Sequence, residues 1–180
     1  MRIIGGTYRS LKLKRVPSDK TRETADFVRE AVFNLLQNHV HGVVLDLFAG
    51  SGAYGLEALS RGASYLYAID FDKDAVQTIF TNVKTLGVMD KVTILQRDYQ
   101  QFIKTTISTR FNLVFLDPPY TFASFAELLE KVNDLVADHG MVVCETEKKK
   151  PMPDRIGDLI LYKSRTYGRK QITIYEKQKV

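Results

Sequence analysis

The apolar run Leu113-Val114-Phe115-Leu116 leads directly into Asp117-Pro118-Pro119-Tyr120. Two consecutive prolines fix the backbone and remove two N–H donors, leaving the Asp117 carboxylate and the Pro118 carbonyl as acceptors where the run ends. Such acceptors suit an amino group. The exocyclic amine of a nucleobase is planar because its lone pair is delocalised into the ring. It attacks only when acceptors hold its hydrogens and favour the pyramidal, positively charged transition state. Tyr120 would stack on the extruded base, a contact worth roughly 1 to 3 kcal/mol. Asp117, Pro118, Pro119 and Tyr120 are therefore the candidate catalytic residues. Standing alone, the tetrapeptide would read equally well as a rigid surface turn.

Roughly 65 residues upstream lies a second motif: Asp46-Leu47-Phe48-Ala49-Gly50-Ser51-Gly52-Ala53-Tyr54-Gly55. Gly50, Gly52 and Gly55 have the spacing of a nucleotide-binding loop between a strand and a helix, and Asp70 closes the following apolar run 20 residues after Gly50. Glycines let the backbone turn tightly against a ligand, and the Asp70 carboxylate can accept from both hydroxyls of a ribose. The motif by itself fits either a nicotinamide dinucleotide or S-adenosylmethionine. Asp46 favours the second, because a carboxylate four residues before the first glycine would repel a pyrophosphate and attract a cationic sulfonium ligand. The expected cofactor is S-adenosylmethionine, with Asp46, Phe48, Ala49, Gly50, Ser51, Gly52, Asp70, Phe71 and Asp98 around it. Asp98 could accept from an adenine amino group, and equally could cap a helix beginning at Tyr99. A methyl donor of this kind carries its own leaving group, so no metal is called for. His39 and His41 lack cysteine or carboxylate companions in the sequence and read as surface residues.

Short apolar runs at Val43 to Phe48, Tyr65 to Ile69, Val92 to Leu95, Leu113 to Leu116 and Met141 to Cys144 predict buried strands. Helical spacing predicts helices from Thr24, as N-cap, to about Asn38, and at Tyr54 to Arg61, Lys73 to Leu86, Tyr99 to Ile107 and Phe122 to Ala137, several closed by a following glycine (Gly62, Gly87 and Gly140). Alternation of this kind implies right-handed β-α-β crossovers and a parallel sheet covered on both faces. Residues 2 to 4 and 11 to 16 predict a short β arm. Leu159 to Tyr162 and Ile172 to Tyr175, separated by a turn containing Gly168, predict an antiparallel hairpin at the sheet's edge. Both motifs then sit at the carboxyl edge of the sheet, facing one crevice.

The chain has 180 residues, the length of about one domain. Its one cysteine, Cys144, cannot form an intramolecular disulfide and is read as packing. With neither a leader-like start nor a long apolar stretch, a cytoplasmic protein is expected. The net charge of +5 is unevenly distributed: residues 1 to 22 carry seven Lys and Arg against one Asp, and residues 148 to 180 carry ten against three acidic residues. Residues 23 to 147 carry nine against seventeen. Basic ends on an acidic centre suit contact with a polyanion. Arg9, Arg22 and Arg169 are the expected RNA contacts, and Arg29, beside Glu30 on the first helix, could reach phosphate or an intramolecular partner. Lys148-Lys149-Lys150 reads as solvated.

With these motifs placed, the chain resembles the bacterial small-subunit rRNA guanine-N2 methyltransferases of the RsmD type. The likeness runs nearly end to end. It is carried by Arg2-Ile-Ile-Gly-Gly-Thr-Tyr-Arg9, by Thr24 to Asn34, by Leu45 to Gly52 with Gly55 to Arg61, and by Asp117-Pro-Pro-Tyr120. The resemblance implies a class I S-adenosylmethionine-dependent methyltransferase with a Rossmann-like, mostly parallel seven-stranded sheet. It would be a single domain over residues 1–180, with 1–22 as an RNA-binding arm. The implied activity is methylation of the exocyclic N2 of one guanine, of the guanine-966 type, in 16S rRNA within the 30S subunit or its precursor; a monomer is expected separately, since the sequence offers no strong self-association surface. The family often has proline after the arginine matching Arg22, where this chain has Glu23-Thr24, so the loop is expected to be less rigid here. Two other readings stay open on the residues alone: an amino-methyltransferase acting on another target such as adenine N6 of DNA or RNA, and an NAD-type oxidoreductase or a nucleic-acid-binding domain that has lost catalysis. A separate target-recognition domain for the former has no room in 180 residues.

Overall fold

A computed structural model describes residues 1–17, 26–105, 108–119, 121–122 and 124–179. Arg22, Thr24 and Tyr120, and the end of the helix expected to reach Ile107, lie outside the described residues.

The predicted alternation is present. Helix α1 (Asp26–Leu36) leads through a 3-10 turn to strand β1 (Val43–Asp46), then α2 (Ala53–Ser60), β2 (Tyr65–Asp70) and α3 (Lys73–Leu86). The chain continues through β3 (Val92–Gln96), α4 (Tyr99–Lys104), β4 (Phe111–Leu116), α5 (Phe125–Asn133) and β5 (Val136–Glu147). It closes with β6 (Arg155–Ile156), β7 (Leu159–Tyr167) and β8 (Lys170–Lys177). The sheet order is β3-β2-β1-β4-β5-β8-β7-β6. The first five strands pair in parallel and the last three are antiparallel. One more strand is present than expected, the two-residue β6 paired with Ile160 and Leu159.

The order reverses between β1 and β4, and at such a switch point the crossover helices diverge to opposite faces and leave a crevice at the strands' carboxyl ends. On one face α1, α2 and α3 bury Val32, Phe33, Leu56, Ile79 and Val83; on the other α4 and α5 bury Phe102, Phe125, Leu128 and Val132. Tyr54 stacks on Phe115 at 4.8 Å, and Phe33 packs against Phe115 at 5.8 Å, tying α1 and α2 to the central strand. Each such aromatic pair adds about 0.5 to 1.5 kcal/mol beyond its buried area.

Two expectations are corrected in this part of the chain. The helix predicted over Phe122 to Ala137 runs from Phe125 to Asn133, capped by Ser124 rather than begun at Phe122, and a strand has already started at Val136. Gly140 lies inside β5 and does not end a helix. The ladder between β4 and β5 jumps from Phe111↔Val136 to Leu113↔Met141, so residues 137–140 form an excursion that the apolar pattern does not reveal.

The N-terminal arm is a small hairpin closed by Ile3 N–H to Leu11 (3.0 Å), Ser10 N–H to Ile3 (2.9 Å) and Leu13 N–H to Met1 (3.0 Å). It is clamped to α2. The Glu57 carboxylate, fully buried, accepts from the N–H groups of Ile4 and Gly5, each at 2.9 Å. Ser60 donates to the Gly5 carbonyl (2.6 Å) and accepts from Tyr8 N–H (2.9 Å).

Candidate active site

The crevice holds a cavity of about 490 Å³ whose walls include Asp46, Gly50, Ser51, Asp70, Asp117 and Pro118. The two motifs, roughly 65 residues apart in sequence, thus meet in one space. Parallel pairing explains why: Asp46, the last residue of β1, is level with Phe115 of β4, so the glycine loop and Asp117 leave the same sheet edge side by side.

The glycine-loop wall is built from backbone. Gly50 donates to Asp70 (2.8 Å), Asp72 donates to the other Asp70 oxygen (2.9 Å), and Gly55 donates to Asp46 (3.1 Å). Gly52, with φ +82°, caps α2 in a conformation costly for other residues. A Cβ at Gly55 would lie 2.5 Å from the Leu66 side chain, so this glycine permits close helix–sheet packing. A Cβ at Gly50 would meet no protein atom within 4 Å, and this stretch of chain opens on the cavity. Asp46 is almost completely buried. Burial pushes its carboxyl up to about 7 against the Gly55 N–H, which pulls it down, and nearby Asp70 adds to the rise. Burial likewise raises Asp70, opposed by the N–H groups of Asp72 and Gly50. Two crowded, desolvated carboxyls are a site waiting for a cation and for hydroxyl donors.

Phe48, Tyr99, Phe122 and Phe125 form an aromatic wall with ring separations of 5.2 to 5.8 Å, and all four line the cavity. It offers a planar base a face to lie on. Asp98 caps α4 by accepting from Gln100 N–H (2.8 Å) and also lines the cavity, so both of its predicted roles are open to it. Phe48, Ala49, Ser51 and Phe71 line the cavity too, Phe71 at its rim with 66% of its surface exposed.

The opposite wall is built from side chains. Asp117 is half-buried, Pro118 buried and Pro119 exposed, all three on the cavity. Beside them, Tyr54 donates to Glu145 (2.9 Å), and the Lys170 ammonium pairs with the other Glu145 oxygen. Sequence reasoning assigned no chemistry to Glu145 and did not place Tyr54 or Lys170 here. Tyr54 is separated from Glu145 by 91 residues, and Lys170 by 25, so no local pattern links them. The cysteine next door, Cys144, is fully buried and its thiol is pushed up by that burial, consistent with packing.

The arginines divide. Arg9 and Arg169 are exposed, the latter in the β7–β8 turn next to Lys170, where its carbonyl accepts from Lys148 N–H (2.8 Å). Lys148 and Lys149 are exposed, in keeping with the solvated reading, while Lys150 lines the cavity. Of the alternatives open to Arg29, the intramolecular pair is the one present, and the expectation of an RNA contact at this residue is corrected. Its side chain is 0% exposed, lies 3.5 Å from Glu57 and 3.1 Å from Asp26, and donates to the Arg2 carbonyl. It braces the arm from within and cannot reach a phosphate.

Asn82, buried on α3, links the arm to the glycine loop. It accepts from Lys14 N–H (2.7 Å) and donates to the carbonyls of Lys14 (3.0 Å) and Ser51 (2.9 Å). Val16, at the end of the arm, lines the cavity. Among the described residues, no helix is long and apolar enough to cross a membrane.

Comparison with known proteins agrees with this geometry. The profile of the family described as Conserved hypothetical protein 95 matches residues 1–176. The Bacillus subtilis protein YlbH is 35% identical over 99% of this chain and 100% of its own. Ribosomal RNA small subunit methyltransferase D of Escherichia coli K12 is 33% identical over 99% of this chain and 90% of its own. A solved Escherichia coli structure superposes with a TM-score of 0.87 at 32% identity, covering 99% of this chain and 98% of that one. The crevice with two motifs, the clamped arm and these end-to-end matches place the chain in the Conserved hypothetical protein 95 family, which it shares with the ribosomal RNA small subunit methyltransferases D.

Proposed function

We propose that this chain transfers a methyl group from S-adenosylmethionine to the exocyclic N2 of a guanine in small-subunit ribosomal RNA, acting as a monomer on the subunit or its precursor. The observation that carries the reading is the single cavity holding the glycine loop with Asp46 and Asp70 on one side and Asp117 with Pro118 on the other. Bound there, S-adenosylmethionine supplies a methyl on a positively charged sulfur, whose departure as a neutral thioether makes transfer favourable.

The chain's own residues do the rest. Asp46 would attract the cationic end of the cofactor, Asp70 would accept from its ribose, and the aromatic wall would receive its adenine. The Asp117 carboxylate and the Pro118 carbonyl accept the two N2 hydrogens of the guanine, drawing its lone pair out of the ring. As the N–C bond forms, the nitrogen becomes cationic, and the Asp117 carboxylate stabilises that charge and offers the first resting place for the proton released to water. Tyr120 is assigned to stacking on the base. Arg169, Lys148 and Lys149 beside the crevice, Arg9 on the arm and Arg22 in the 1–22 segment supply phosphate contacts.

The test is incubation with labelled S-adenosylmethionine and small subunits lacking the modification, followed by nucleoside mass spectrometry. One N2-methylguanosine is expected. Absence of label, or label at adenine N6, overturns the reading.

A further inference from the structure

Tyr54 and Glu145, both buried, and the partly exposed Lys170 form a polar cluster in the wall of the cavity, and the mechanism above does not use it. Glu145 is 5% exposed and Tyr54 6%, an expensive place for a carboxylate, directly after the buried apolar stretch Met141 to Cys144 of β5. Tyr54 holds one oxygen and Lys170 the other, and the Tyr54 ring is itself fixed by stacking on Phe115.

Its position relative to Asp117 follows from the ladder. Leu116 pairs with Cys144, so the next residues, Asp117 and Glu145, emerge side by side from neighbouring strands about 4.8 Å apart. On the far side of β5, Glu147 pairs with Lys170 of β8, and the Lys170 ammonium reaches back to Glu145. Across the sheet the order is therefore acceptor, acceptor, donor: Asp117 just past the end of β4, Glu145 on β5, Lys170 on β8. The Watson–Crick edge of guanine presents the complement in the same order: the N2 amine, the N1–H donor and the O6 acceptor.

We infer that Glu145 and Lys170 are specificity-determining residues that read this edge, Glu145 accepting from N1–H and Lys170 donating to O6, with Tyr54 orienting the carboxylate. This rests on the reading of guanine N2 as the methyl acceptor. Adenine presents the opposite pattern: its N1 lone pair would face the Glu145 carboxylate and its N6 amine would face the Lys170 ammonium. A buried mismatch of that kind rejects a substrate far more strongly than a missing apolar contact does.

The inference is tested with small subunits reconstituted from 16S rRNA carrying either guanosine or 2,6-diaminopurine riboside at the methylated position. Diaminopurine keeps the N2 amine but replaces N1–H by a lone pair and O6 by an amine. The wild-type protein should methylate guanosine roughly 100-fold faster in kcat/KM. Glu145→Gln, whose amide can donate to N1, should slow guanosine methylation by roughly 10- to 100-fold and bring the preference below about tenfold. Lys170→Met, at a partly exposed position, should also narrow the preference, and it carries the test should Glu145→Gln not fold. Calorimetry with S-adenosylmethionine, expected to be unchanged, reports that each variant is intact. An undiminished preference in the folded variants, or a wild-type protein indifferent to the base, overturns the inference. A wild-type protein that leaves guanosine unmethylated overturns instead the underlying assignment of guanine N2.

Discussion

On the β1–α2 side of the crevice the carboxylates are held by amides close by in the fold: Gly50 and Asp72 on Asp70, Gly55 on Asp46. On the β4–β5 side Tyr54 and Lys170 hold Glu145 by their side chains, with Asp117 on the same cavity, and the four come from different elements or their ends. The difference separates two tasks. A cofactor common to many enzymes can be bound by backbone in a fixed turn, whereas a particular base is read by side chains that other chains are free to exchange. The first wall should therefore govern cofactor affinity and the second turnover and base choice.

The sharpest way to break this division is at Asp117. Asp117→Ala should lower turnover by about 10² to 10⁴ while cofactor affinity stays nearly constant, because the carboxylate acts on charge that develops during transfer. Single-turnover assays beside calorimetry would check both, and a large loss of cofactor binding would merge the two walls into one. Asn82→Ala probes the first wall from behind. Leaving Lys14 N–H and the buried Ser51 carbonyl without their partner should cost about 1 to 3 kcal/mol in denaturant unfolding and weaken cofactor binding.

Asp46 sharpens the comparison through pH. Its folded carboxyl, raised to about 7 from the ordinary 3.8, holds a proton that the unfolded chain has already lost above about pH 4. The cost of ionising it in the fold is therefore absent in acid, grows as pH rises and is complete above about pH 7. A cationic ligand prefers the ionised form, so S-adenosylmethionine affinity should fall by up to about tenfold per pH unit below that point. S-adenosylhomocysteine, lacking the sulfonium charge, should respond less, and Asp46→Asn should flatten the curve. The smallest effect belongs to neither wall. Neutralising Arg9 and Arg169 together should weaken RNA binding across sequences and reduce the salt slope by about one for each phosphate that is no longer neutralised; an unaltered slope would remove these basic ends from the docking surface.

The legibility of the site follows the same division. Lys73–Leu86 shows its bounds in sequence because an Asp72 cap and a Gly87 end surround a clear helical period. The glycine loop and Asp117-Pro118 are readable because each is contiguous. The Tyr54–Glu145–Lys170 cluster is not, since its members are joined only by strand pairing and helix packing. Arg29 misleads for a related reason: a cation on a helix looks solvated until the arm folds over it and Glu57 neutralises it from below. The bounds of α5 are obscured in sequence because Val132, Leu135 and Val136 fit a helical period as well as the strand that Val136 begins.

The excursion at residues 137–140 sets the phase of everything downstream in β5. Beyond it, odd-numbered Val143 packs with the helices of the amino-terminal half, while even-numbered Cys144 packs with those of the carboxyl-terminal half. Removing one residue there without a compensating change would turn Glu145 out of the cavity and drive its charge into the layer beneath α5, while Thr146 would take its place beside Tyr54. A short irregular stretch remote from the chemistry thus acts as the vernier that aligns one strand with the other.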